Sequence, residues 1–226
     1  VGVSPYAYCE NNPMNAIDKN GEDSYYLTDG TYICDNLKET DHIYVVSNYN
    51  YLKQLPNGNR VVEFYGKQSL EEAKLSANAF SNIFTNVLKR NGFDIDKLEN
   101  KSIAINVLDN NTKGDGPHYR CIDFYNTTSY PWENAPIAAI SNNKITVNVV
   151  LSNQEHRNYL STISNVINVL GVHEYTGHGI LKLGSDQHWQ ILKMQRAHPS
   201  WNNTTKKLKD LYLKLEKEIP EEYVKH

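Results

Sequence analysis

The chain has 226 residues, enough for one substantial domain with or without a small attachment, and its 39% hydrophobic and 22% charged residues are ordinary for a globular protein. A formal net charge of −3 and a pI near 6.3 supply no global basic field for nucleic acid. No apolar window is long enough to span a bilayer, and no secretory-leader pattern is expected at the start. Cys9, Cys34 and Cys121 are far apart, without paired metal spacing, and are expected to be isolated thiols.

In chain order, Ser4-Pro5-Tyr6-Ala7-Tyr8, Asn11-Asn12-Pro13 and Asp18-Lys19-Asn20-Gly21 form a stretch rich in turn formers with no helical period. Residues 4–21 resemble the closing segment of the Rhs/YD-repeat-associated core domain, whose usual form runs Pro-Tyr-x-Tyr, then Asn-Asn-Pro, then Asp-Pro-x-Gly. In that family the segment ends a large β-repeat shell, and a variable toxin follows it. The resemblance therefore implies a core tail over residues 1–21 and a polymorphic toxin domain over residues 22–226. It implies secretion, or delivery to a target cell, as part of a larger bacterial protein, with a cognate immunity protein as partner. Lys19 stands where the family has proline, which leaves the family's self-cleavage near Gly21 open.

Beyond Gly21 the pattern is that of strands. Ser24–Leu27 and Thr31–Cys34 flank Asp29-Gly30, a type I′ hairpin signal. His42–Val46 and Arg60–Tyr65 read as further strands, with Pro56–Asn59 as a turn. Ser69-Leu70-Glu71-Glu72 fits a capping box for a helix reaching Arg90, with Gly92 just past its end. Strands are expected at Ile103–Leu108, Cys121–Tyr125 and Ile137–Val150, the last broken into a hairpin at Asn142-Asn143. Helices are expected after the Ser152–Glu155 capping box and at about 187–197 and 204–218. In the last of these, Leu208, Leu211 and Leu215 supply an apolar stripe. Lys206, Lys207, Lys209, Lys214 and Lys217 read there as a solvated face. Strands first and helices last is an α+β layout: antiparallel sheet and hairpins N-terminally, helices carrying the functional motif C-terminally.

That motif is His173-Glu174-Tyr175-Thr176-Gly177-His178, at the end of an apolar run containing Tyr159, Ile163, Val166, Ile167, Val169 and Leu170. Two imidazoles around a carboxylate suit a zinc hydrolase: two neutral nitrogen ligands and a base for the attacking water. The histidines are five apart rather than the zincin's four. On a regular α-helix that places them about 140° apart, too far to share a metal. A single-turn π-bulge, with Gly177 tolerating the distortion, would bring them together.

The six residues resemble the zinc motif of the dipeptidyl peptidase III family, which also spaces its histidines by five with glycine before the second. The resemblance implies His173 and His178 as zinc ligands and Glu174 as catalytic base, with protein or peptide as substrate. That family draws its third ligand from a glutamate on a later helix, within a Glu-Glu-containing motif, and the next helix expected here, from about Asp186 to Ala197, contains no glutamate. His188 ranks first for that role because it falls in the first turn of the next helix, after a Gly184 stop and a Ser185 or Asp186 cap. Asp186, His198 and the later Glu216 and Glu218 are the alternatives.

His198-Pro199-Ser200-Trp201 could line a pocket, and Tyr159 and Tyr212 are candidate transition-state donors. Zincin peptidases commonly set an edge strand beside the metal helix to hold extended substrate. The expected function is thus a zinc-dependent metallopeptidase serving as the toxin of an Rhs-type secreted protein. A toxin nuclease, or a non-enzymatic binding domain with a structural metal, stands as the alternative. The acidic pI and the lack of a basic, aromatic groove speak against nucleic acid as a partner.

Overall fold

A computed structural model of the chain describes residues 7–9, 23–36, 40–54, 60–108, 138–150 and 157–218. Among the described residues, ten strands form three small sheets. β1 (Ala7–Cys9), β5 (Asn48–Gln54) and β6 (Arg60–Tyr65) make an antiparallel sheet in the order β1-β6-β5, so residues 7–9 pair with β6. β2 (Asp23–Leu27), β3 (Tyr32–Asn36), β4 (Ile43–Val46) and β7 (Gln68–Ser69) form a second sheet, ordered β3-β2-β4-β7. β8 (Ala104–Leu108), β9 (Ala138–Ser141) and β10 (Lys144–Val150) form the third, ordered β8-β10-β9. Most pairs are antiparallel, while β2 with β4 and β8 with β10 run parallel.

Turn chemistry follows the sequence at one hairpin and departs from it at another. Asn142 (φ 49) and Asn143 (φ 60) both adopt the left-handed region and join β9 to β10, as a two-residue primed turn requires. At β2–β3, Gly30 alone has positive φ (83), and its N–H donates to the Leu27 carbonyl while Leu27 N–H donates to Thr31. The connection is therefore a three-residue loop ending in a left-handed glycine, not the expected type I′ turn.

The first helix, α1 (Ala77–Arg90), starts later than its capping box suggested. Ser69 belongs to β7 and pairs with Tyr44, so its backbone is extended. Ser76 caps the helix instead, its Oγ accepting from Ala79 N–H at 3.2 Å. Phe80, Ile83, Phe84, Val87 and Leu88 give α1 one buried face in the main core, shared with Ile43, Ile145 and Val147 of the sheets and with Ile103 just before β8. Arg90 ties its end to β3 through an ion pair with Asp35 and lies 4.0 Å over the Tyr32 ring. A smaller apolar cluster surrounds Tyr25, Cys34, Val46 and Val62.

Cys34 is disulfide-bonded, which corrects the expectation of an isolated thiol: separation along the chain does not measure separation in space. The Pro56–Asn59 turn, the Cys121–Tyr125 strand and the Ser152–Glu155 capping box lie outside the described residues. The C-terminal half is helical. α2 (Ile163–Val166) leads directly into a π-helix (Ile167–Ile180), followed by α3 (His188–Ala197) and α4 (Lys206–Glu218). No described helix is long and apolar enough to cross a membrane.

Candidate metal centre

The motif helix is anchored at its start and enclosed along its length. Thr162 caps α2 by accepting from Asn165 N–H at 3.1 Å, and Asp41 accepts from Ser164 N–H at 2.9 Å, fixing that end beside β4. From Ile167 to Tyr175 every residue is buried, so that stretch runs through the core with no solvent face, while Ile180 at the helix end is exposed. Close approach on several sides demands glycine. A Cβ at Gly171 would stand 2.3 Å from the Phe93 ring, one at Gly177 would stand 2.9 Å from Ile191 of α3, and one at Gly179 would stand 2.8 Å from Ile140 of β9.

The expected local bulge is instead a π-helix of 14 residues. Its bonding reaches five residues back: Leu181 N–H donates to Thr176 O at 2.9 Å, and Thr176 Oγ1 donates to Gly171 O at 2.9 Å. Residues five apart then stand one above the other, as residues four apart do in an α-helix. Gly177 does not have positive φ, so its part is close packing against Ile191 rather than conformational freedom. The helix ends at Ile180, and the left-handed residue beyond it is Lys182 (φ 57), so the stop precedes Gly184.

His173 and His178 accordingly face each other, with ring centroids 5.0 Å apart. His188, the first residue of α3, completes the group at 5.3 Å from His173 and 4.7 Å from His178. One nitrogen from each ring lies within 4.8 Å of the others, so the three histidines are close enough to bind a metal ion. They are the ligating group found among the described residues.

Hydrogen bonds decide which nitrogens are available. His178 Nδ1 lies 2.7 Å from the Leu183 carbonyl, which can only accept, so Nδ1 carries the proton and Nε2 the lone pair. His173 Nδ1 lies 3.0 Å from Gln195 Oε1. The Gln195 amide nitrogen donates to Asn168 O at 3.1 Å and to Asn168 Oδ1 at 2.9 Å, which turns its oxygen towards His173. His173 Nδ1 therefore donates as well, and its Nε2 carries the lone pair.

The Nε2 atoms of His178 and His188 are 3.2 Å apart. Tetrahedral zinc with nitrogen ligands at about 2.0–2.1 Å spaces neighbouring nitrogens by about 3.3 Å. With His178 Nε2 accepting, His188 Nε2 is the donor of that contact, and ligation of a metal through His188 Nε2 would require its proton on Nδ1 instead. Burial pushes His173 down to about 3, helped by His188 and His178 beside it, and burial also lowers His178. Both rings are thus held in the neutral form that a metal needs.

Around this group, Glu174 is buried next to His173 in sequence, and the Tyr212 ring of α4 stacks on His173 at 6.3 Å and 10°. Of the remaining candidates for third ligand, the Glu218 side chain lies outside the described residues. Asp186 is exposed. His198 caps the short Pro199–Asn202 turn, where its Nδ1 accepts from Ser200 N–H at 3.2 Å. Glu216 pairs with Arg196 at 2.6 Å. Of the lysines on the last helix, Lys206 pairs with Asp210 at 2.5 Å and Lys209 reaches the Asn202 carbonyl, while Leu208 and Tyr212 face the core.

Sequence reasoning missed the polar support behind His173. Asn168 and Gln195 are fully buried, and Asn168 Nδ2 donates to Gln195 O at 3.0 Å and to Ser200 Oγ at 3.2 Å. The available signal was an asparagine set inside an apolar run, since a buried amide needs partners. No family model, curated protein or solved structure matches the chain.

Proposed function

We propose that residues 22–226 form a zinc-dependent metallopeptidase that serves as the toxin domain of an Rhs-type secreted protein. The observation that carries the reading is the convergence of His173, His178 and His188, two of them held neutral with Nε2 as lone-pair nitrogen. His173, His178 and His188 would hold zinc with three neutral nitrogens, the protein-ligand number of catalytic zinc sites, and would add no negative charge to offset the metal's. When bound there, zinc would make a water more acidic and polarise a substrate carbonyl.

The chain's own part of the chemistry falls to Glu174. It accepts the proton of the attacking water and returns it to the departing amine. β9, an edge of its sheet among the described residues, packs beside the π-helix through Ile140 and Gly179, a suitable place for an extended peptide. The toxin part of the reading rests on the core-tail resemblance of residues 4–21, which also supplies the immunity protein as partner. The Cys34 disulfide suits a protein that leaves the reducing cytosol.

Elemental analysis of the purified protein beside its His178→Ala variant tests the metal, with about one zinc per chain expected and lost in the variant. Peptide hydrolysis should disappear in Glu174→Gln while zinc stays bound. Full hydrolysis by that variant would refute the mechanism, and salt-sensitive binding to RNA or DNA would favour a nuclease instead.

A further inference from the structure

We infer that Gln195 is the positioning residue that presents His173 to the metal, and that Asn168 holds Gln195 in the one orientation that permits it. The inference rests on the metal-site reading above. An imidazole can ligate through either nitrogen, and the partner of the other nitrogen makes the choice. For His173 that partner is the Gln195 side-chain oxygen, 3.0 Å from Nδ1.

A glutamine amide could equally present its NH2 group and reverse the tautomer. Asn168 prevents this. Gln195 Nε2 faces the Asn168 backbone carbonyl at 3.1 Å, an atom that can only accept, so the NH2 group must stay there. Asn168 is fixed the same way, because its Nδ2 faces the Gln195 backbone carbonyl at 3.0 Å and Ser200 Oγ at 3.2 Å. Each side-chain amide is thus oriented by the other residue's main chain. Both residues have 0% exposure, so no water competes for these bonds.

The arrangement also explains an amide where many metal sites place a carboxylate. A carboxylate at 195 would set an oxygen against both Asn168 O and Asn168 Oδ1, and it would bury a charge against Asn168 and a neutral His173, neither of which offsets it. Gln195→Glu therefore separates two roles. If position 195 acted by electrostatics alone, the added negative charge would strengthen metal binding. If it acts by orientation, binding weakens.

The test is zinc affinity, measured by competition with a chelating dye, for the wild-type protein and for Gln195→Ala and Gln195→Glu. Both variants should bind about 10- to 100-fold more weakly, the usual loss when the partner of a metal-bound histidine is removed. Nitrogen-15 spectra of metal-free, histidine-labelled wild-type protein supply a readout that does not depend on how the variants fold. His173 should appear with its proton on Nδ1, and its Nε2 signal should shift on addition of zinc. A proton on Nε2 in the wild type overturns the inference, as does a folded variant with wild-type affinity or tighter binding by Gln195→Glu. A wild-type protein that binds no zinc overturns the metal reading itself, and this inference with it.

Discussion

Replacing Gly177 by alanine tests whether packing between the π-helix and α3 sets the spacing of the histidines. The new Cβ would stand 2.9 Å from Cδ1 and Cγ1 of Ile191 and 3.1 Å from its Cγ2. Ile191 is fully buried, three residues after His188 on the same helix, so it has no room to turn aside. Reaching the 3.4 Å of ordinary contact from 2.9 Å requires the two elements to part by about 0.5 Å. Ligand distances in a metal site tolerate only about 0.2 Å, so His188 would leave its place relative to His178. The expected loss is about 1–3 kcal/mol of stability, measured by urea unfolding in chelator. Zinc affinity should fall by at least about tenfold. Adding Ile191→Ala removes all three carbons that the methyl strikes. The double variant should therefore be more stable than the sum of the single effects by about 1–2 kcal/mol. Wild-type stability and wild-type zinc affinity in Gly177→Ala would refute the reasoning.

Ser76→Ala should cost about 1 kcal/mol through the lost α1 cap, whereas Ser69→Ala should leave helix content by circular dichroism unchanged. Arg90→Ala strips the guanidinium from Asp35, whose side chain is only 13% exposed, and should cost about 3–5 kcal/mol in urea unfolding; a loss below 1 kcal/mol would make the pair incidental. Burial holds His173 near 3 in the folded protein against about 6.5 when unfolded, so between those values the unfolded chain carries the extra proton. The metal-free protein should lose about 1.4 kcal/mol per pH unit from this residue as pH falls through that window. Urea midpoints at about pH 6, 5 and 4 should show this slope, and His173→Asn should flatten it.

How much of this was legible in the sequence depended on whether the deciding contacts were local. The Asn142-Asn143 turn was readable because asparagine is among the few residues that enter the left-handed region readily. His188 was readable because a short connection returns the chain to the motif within ten residues of His178. Ser69 misled because a cap and an extended strand residue look alike until β4 provides a partner. β5 was missed because Asn48–Gln54 is polar and largely exposed, with its pairing to β6 supplying what its composition does not. The length of the π-helix was out of reach for the same reason. Its glycines signal close approach, but Phe93, Ile191 and Ile140 come from three separate parts of the chain.

That enclosure explains how histidines five apart can share a site at all. α-Helical bonding would separate the two rings, and the π form persists because Phe93, α3 and β9 each fit against a glycine of the π-helix. The spacing of His173 and His178 is therefore a property of the whole core, and anything that bridges the two rings acts back on that core. A metal that binds only the folded arrangement must stabilise it by mass action, by about 2.7 kcal/mol at a free concentration one hundred times its Kd. For a domain of this size that corresponds to a rise in Tm of roughly 5–10 °C. The rise should vanish in His178→Ala and persist in Glu174→Gln, since only the first of these removes one of the three converging nitrogens. An unchanged Tm on addition of zinc would mean that the histidine spacing serves packing alone. The π-helix would then be a consequence of how the core closes rather than of what the site binds.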